Sequence, residues 1–304
     1  MKYRILGKTG LRVSVIGIGT WQLGGEWGKD FTPGDVDPMF RRGRELGVNF
    51  VDTAECYGDH VSEALIGGAI QPDRKDWIVA TKFGHKFHKN FERTDERTAA
   101  DAIKQFEDSL KALKTDYVDL LQYHSVRNDE YDDEQLQATV IKFKQQGKVR
   151  HIGASISPPD NVHQVDHAAK PQVETIQVLY NRLERKAEQE VLPSCLRQNL
   201  GVLARVPLAS GFLSGKYKPG TQFAANDVRN VWAKPDAQEK LKEVERIARE
   251  EVPAGVPMAR WALAWCLKHP AISIVIPGCK NVKQVEENAL AAELVEGDHS
   301  LAWK

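Results

Sequence analysis

The chain has 304 residues, 41% of them hydrophobic, with 42 basic and 42 acidic side chains. That balance points away from nucleic acid or an anionic membrane as a partner. No apolar stretch reaches the length of a membrane span and the start "MKYRILGKTG" has no apolar h-region, so a soluble, cytoplasmic protein is expected.

In chain order, "MKYRILGKTGLRV" reads as a small hairpin that would plug the floor of whatever follows. Short apolar, β-branched runs then recur: "VSVIGIGTW", "VNFVDTAE", "WIVATKFG", "YVDLLQYH", "VRHIGAS", "TIQVLY", "GVLARVPL" and "ISIVIPG". Their hydrophobicity is dense rather than alternating, as in strands covered on both faces. Between them lie amphipathic segments such as "ADAIKQFEDSLKAL" and "DEQLQATVIKFKQQG", the second closed by a glycine and a basic residue as helix ends often are. Eight strand–helix units predict an α/β fold, a (β/α)8 TIM barrel with a short N-terminal β-hairpin, forming one domain over 1–304. A doubly wound sheet would need GxGxxG after its first strand; "GIGTWQLGG" lacks that spacing. The long stretch Ser214 to Asp236 after strand seven reads as a loop or lid. Cys56, Cys195, Cys266 and Cys279 are far apart and the histidines form no HExxH, so reduced thiols and no metal are expected.

Catalytic groups of such barrels gather at the C-terminal ends of strands. Strand two ends in Asp52 with Tyr57 close behind, strand three delivers Lys82 and strand four His124. Singly, these could be a turn cap, a packing aromatic, a snorkelling lysine and a core histidine. Together, at consecutive strand ends, they compose a reaction centre. A free phenol titrates near 10 and is a poor acid at neutral pH. An ammonium beside it stabilises phenolate, so Lys82 is expected to lower the Tyr57 pKa while Asp52 holds Lys82 in place. His124 can orient a carbonyl oxygen and help relay the proton. Such a set can protonate the oxygen of a carbonyl that receives hydride.

In these motifs the chain resembles the aldo-keto reductase superfamily. "DTAECYGDHVSEALIGGAI", "TKFG", "YVDLLQYHS", "GKVRHIGAS", "QVLYNRLER", "GVLARVPLASGFLSGKY" and "SIVIPGCKNVKQVEEN" follow one another in the family's order, over essentially the whole chain. The later motifs are similar to bacterial stress-type and sugar-related branches. The resemblance implies a nicotinamide cofactor bound without a Rossmann fold, and a catalytic tetrad of Asp52, Tyr57, Lys82 and His124. It implies that Ser155 and Gln177 seat the carboxamide, with Ile156 where relatives carry Asn and Asn181 as a candidate replacement. Arg205 stands where an aromatic often stacks on the ring; its guanidinium plane can do the same. Pro207, Leu208, Ser210, Gly211, Leu213 and Lys216 would cradle the pyrophosphate. Gly278, Lys280, Gln284, Glu287 and Asn288 would meet the adenosine 2′-phosphate at a helix start. Gln284 replaces a frequent Arg, leaving Lys280 or Lys283 to supply charge, so NADPH is expected and NADH is possible. Gly19, Thr20 and Trp21 match the family's "GTW", with Trp21 lining the substrate pocket; His85 and Trp232 are further candidates there.

These residues predict a reductase of small aldehydes, ketones or sugars, able to form a homo-oligomer. A cofactor-binding, redox-sensing regulatory subunit of the same fold, with slow turnover, is the alternative.

Overall fold

The computed structural model describes residues 1–223 and 236–295. The N-terminal hairpin pairs β1 (Tyr3–Ile5) antiparallel with β2 (Arg12–Ser14). Eight parallel strands follow, running around the sheet as β3 (Ile18–Gly19), β4 (Phe50–Asp52), β5 (Ile78–Phe83), β8 (Val118–His124), β9 (Val149–Ser155), β10 (Val173–Leu179), β11 (Gly201–Arg205) and β12 (Ile272–Val275). Two parallel bridges, Ile16 to Val275 and Gly19 to Gly278, join the first strand to the last and close the ring.

Side-chain alternation sorts each strand into an inward and an outward row. Leu6, Val13, Phe50, Ala80, Leu120, Leu203, Ile274 and Ile276 form the inner apolar cluster. Leu6 and Val13 come from the hairpin region, so the hairpin does plug the barrel floor. Val51, Val79, Leu121, Ile176, Val202 and Val275 belong to the outer cluster that the helices share. This two-sided burial explains why the strands read as continuous apolar runs. Two residues above the apolar layer, the inward row turns polar: Asp52, Lys82, Gln122 and Gln177 are all buried there.

The helices start where the sequence offers side-chain oxygens. Thr98 accepts from the Asp101 amide to open the helix Ala99–Ala112, and Asp133 caps Glu134–Gln145 through the Leu136 amide. One expectation needs correction. The run Val13 to Trp21 is not one strand but is divided between β2 and β3, with Ser14 tied to Asn49 through its amide at 2.7 Å. The polar segment after Lys82 is an antiparallel hairpin of β6 (His85–Lys89) and β7 (Glu92–Asp95). Of the stretch 214–236, residues 224–235, including Trp232, lie outside the described residues.

Candidate active site

Asp52, Tyr57, Lys82 and His124 meet at the C-terminal rim. The Lys82 ammonium donates to Asp52 Oδ2 at 2.8 Å, to the Thr53 carbonyl at 2.7 Å and to the Tyr57 hydroxyl at 3.3 Å. All three of its protons are thereby directed. Burial, the largest single influence on Lys82, opposes its charge, but Asp52 and Tyr57 outweigh it and hold the pKa above its ordinary value. His124 packs edge-on to Tyr57, with ring centroids 6.2 Å apart. Burial, then competition with His85 for a proton and the positive charge of Lys82, holds the pKa of its imidazole well below the usual range.

The expected lowering of the Tyr57 pKa is not what the structure has. Burial pushes the phenol up to about 12, and Lys82 opposes this without reversing it. Desolvation of a phenolate in this pocket costs more than one ammonium at 3.3 Å returns.

A buried polar frame holds these groups. Asp52 Oδ1 accepts from Gln177 Nε2 at 2.7 Å and from Gln122 Nε2 at 3.1 Å. Gln122 was missed by the sequence reading; the only signal was a polar residue at an inward position of an apolar strand. Thr20 is buried, its hydroxyl donating to the Asp52 carbonyl and receiving a bond from Ser62. Ser62 also meets Thr53 at 3.0 Å, while Glu63 bonds Thr81 and His60. Ser62 and Glu63 thus act as scaffolding. Gly58 has φ +70° and a Cβ there would fall 2.5 Å from the Gly24 carbonyl oxygen. That close approach presses the turn carrying Trp21 against the Tyr57 loop, leaving the two rings 6.4 Å apart.

Beyond Trp21 the rim is built by a carboxylate. Glu26, buried, accepts from the Trp21 indole, from the Phe91 amide at 2.9 Å and from Arg93. It therefore ties the β6–β7 hairpin to the first loop. His85, at the start of that hairpin, stacks edge-on with His124 at 4.7 Å and bonds Asp95 at 3.1 Å. Burial and then Arg97 lower its pKa to about 4.

The expected cofactor residues line the opposite arc. Ser155 donates to Gln177 Oε1 at 3.3 Å, so these two side chains form a pair at adjacent strand ends. Arg205 reaches the Ile156 carbonyl at 3.3 Å, and its Nε has no partner among the described residues. Asn181, the suggested replacement amide, donates to the Val206 carbonyl and accepts from the Leu183 and Glu184 amides. After Pro207 and Leu208, positive φ at Ala209, Ser210 and Gly211 bends the backbone into a concave turn ahead of Leu213 and the exposed Lys216.

At the last strand, Gly19 and Gly278 bridge, and a Cβ on Gly278 would overlap the Gln22 amide at 2.1 Å. Lys280 donates to the Trp27 carbonyl at 3.1 Å and lies over the Trp27 ring. Gln284 accepts from the Lys280 amide, Glu287 pairs with Arg260 at 2.7 Å, and Asn288 donates to Cys279 Sγ. Lys283 is exposed. The free guanidinium edge, the paired amides and the concave turn on one arc fit a large anionic cofactor with an amide-bearing ring.

A parallel barrel whose rim presents a lysine-bridged phenol and a neutral imidazole is the architecture of a hydride-transferring oxidoreductase. The chain belongs to the Aldo/keto reductase family, whose model matches residues 15–301. It is 32% identical over 296 residues to an uncharacterized oxidoreductase, YqkF, of Bacillus subtilis, covering 96% of this chain and 91% of that one. It is 31% identical to an L-galactose dehydrogenase of Arabidopsis thaliana, covering 97% and 89%. Among solved structures it is similar to the holo form of the aldo-keto reductase AKR11C1 from Bacillus halodurans, with TM-score 0.80, 28% identity and coverage of 96% and 91%. Members of this family are oxidoreductases that use nicotinamide cofactors. No helix among the described residues is long and apolar enough to cross a membrane.

Proposed function

We propose that the protein is an NADPH-dependent oxidoreductase that reversibly reduces small aldehydes, ketones or sugars to alcohols, with Tyr57 as the proton donor. The observation that carries this reading is the Lys82 ammonium bonded at once to Asp52 and to the Tyr57 hydroxyl. When bound, the nicotinamide supplies hydride to the carbonyl carbon and accepts it in the reverse direction. The chain's own residues manage the proton. As negative charge develops on the carbonyl oxygen, the Tyr57 hydroxyl gives up its proton to it, and the phenolate left behind lies against Lys82. Because Lys82 is already oriented, its stabilisation requires no rearrangement at that moment. Asp52 keeps Lys82 charged, Gln122 and Gln177 fix Asp52, and neutral His124 orients the oxygen.

Ser155, Gln177 and Arg205 are assigned to the nicotinamide end and the 208–216 turn to the pyrophosphate. Preference for NADPH is supported by Lys280 beside the Asn281-capped helix Val282–Ala289, a place suited to an anion. Sugar substrates are supported by the likeness to an L-galactose dehydrogenase.

The test is cofactor oxidation by the purified protein over a panel of small aldehydes, ketones and aldoses, with NADPH and NADH compared. Tyr57→Phe should lower kcat at least about a hundredfold, the scale of general acid catalysis, with cofactor affinity unchanged. Tight cofactor binding without turnover on any carbonyl would overturn this reading in favour of a redox-reporting subunit.

A further inference from the structure

Glu55, two residues before Tyr57, is not needed by the proton path above, yet it is buried at its heart. One of its oxygens, Oε1, accepts from the His85 amide at 3.0 Å and lies 3.7 Å from His124 Nδ1. The other, Oε2, is buried with no partner among the described residues. The thiol of Cys56 approaches the same imidazole nitrogen at 3.8 Å. Ligand atoms of Glu55, Cys56 and His124 all lie within 4.8 Å of one another, but Lys82, Arg93 and Arg205 add positive charge around His124, which disfavours a cation there. The cluster is better suited to sharing protons.

A neutral imidazole carries its proton on one nitrogen only, and which one is set by what faces the other. We propose that Glu55 is a positioning residue: its protonated carboxyl donates to Nδ1 of His124 and holds the proton of the imidazole on Nε2, where it can be donated to the substrate's carbonyl oxygen. The inference rests on the carbonyl-reductase reading above. The 3.7 Å separation is longer than a hydrogen bond and must tighten when the pocket fills, as catalytic contacts commonly do.

The groups facing Glu55 support a neutral carboxyl. Burial raises its pKa to about 8, against the His85 amide; Glu63 on the neighbouring helix adds to the rise and Lys82 on β5 opposes it. Cys56 and His124 are uncharged beside it, and Arg93 on β7 is turned to Glu26 and the Cys56 thiol. Above that pKa the carboxylate can only accept. Nδ1 then takes the proton and Nε2 offers a lone pair instead of a donor. Carbonyl reduction should therefore fall on the alkaline side.

The test is the pH profile of kcat for carbonyl reduction with saturating NADPH. Glu55→Gln carries a permanent N–H donor, so it should keep kcat at pH 7 within about threefold and move the alkaline limb up by at least one pH unit. Glu55→Leu, with no donor, should lose about tenfold or more in kcat with little change in cofactor affinity. Cys56→Ala, which removes only a weak S–H donor, should stay near wild type. An alkaline limb unmoved in Glu55→Gln, or a loss confined to Cys56→Ala, would overturn the proposal. Should the variants fail to fold, 15N chemical shifts of histidine-labelled wild-type protein decide it: Nε2–H below about pH 8 supports the proposal, and Nδ1–H throughout refutes it. Full activity of Tyr57→Phe would instead overturn the underlying reductase reading, so the two failures are distinguishable.

Discussion

The carboxylate of Asp52 takes donors from Lys82, Gln177 and Gln122 on three different strands. Hydrogen bonds to a charged acceptor contribute about 1.5–3 kcal/mol each. Gln122→Leu removes one of them and also the acceptor for Gln177 Nε2 at 3.3 Å. Its cost should be about 2 kcal/mol in denaturant unfolding, with kcat reduced more than cofactor affinity because Lys82 loses a fixed counter-ion. The tetrad was legible because ionisable residues ending apolar runs are conspicuous. Gln122 was not, since a single amide between Leu121 and Tyr123 looks like noise until the barrel's inward row is known. The Tyr57 pKa was misjudged for a related reason: sequence shows which charges approach the phenol but not how much water it loses.

Among elements, the hairpin β6–β7 was the main omission. Its sequence, "HKFHKNFERTD", is polar with few β-branched residues, and its strands are held as much from outside as by their own propensity. Glu26 is that outside hold. Glu26→Ala would leave the Phe91 amide and Arg93 without their buried acceptor. Hydrogen exchange over 85–95 should accelerate at least about tenfold, the equivalent of a 1.4 kcal/mol loosening, while the barrel strands keep their protection. KM for the carbonyl substrate should rise with kcat less affected, since the hairpin borders the pocket without supplying the proton. The strands themselves were readable to within a few residues, as with Val149–Ser155, because dense apolar runs covered on both faces have few other homes. The division of the first run between β2 and β3 was not, because a change of partner leaves no mark on hydrophobicity.

For the whole molecule, stability should peak near pH 6.5. Below that, unfolded chains protonate His85 and His124, which the folded protein keeps neutral, so stability is lost as pH falls from 6.5 toward 4. Glu55 works in the opposite sense: between its ordinary range and about 8 the folded state retains a proton that the unfolded chain releases, so stability declines as pH rises. Two histidines outweigh one carboxyl below 6.5, and the carboxyl prevails above it. Thermal unfolding in the presence of a fixed buffer checks this, with Glu55→Gln expected to flatten the alkaline decline. Each such proton changes the slope by about 1.36 kcal/mol per pH unit.

The bridges from Ile16 to Val275 and from Gly19 to Gly278 carry a consequence for synthesis. The four rim residues have all been joined to the chain once His124 is made, but the ring cannot seal until Gly278 follows. At about 5–20 residues per second, that interval lasts roughly ten to thirty seconds. Throughout it, the nascent sheet presents two open edges, the kind of surface that recruits other chains. The seam thus sets the earliest point at which the newborn chain can become a closed object able to take up its cofactor.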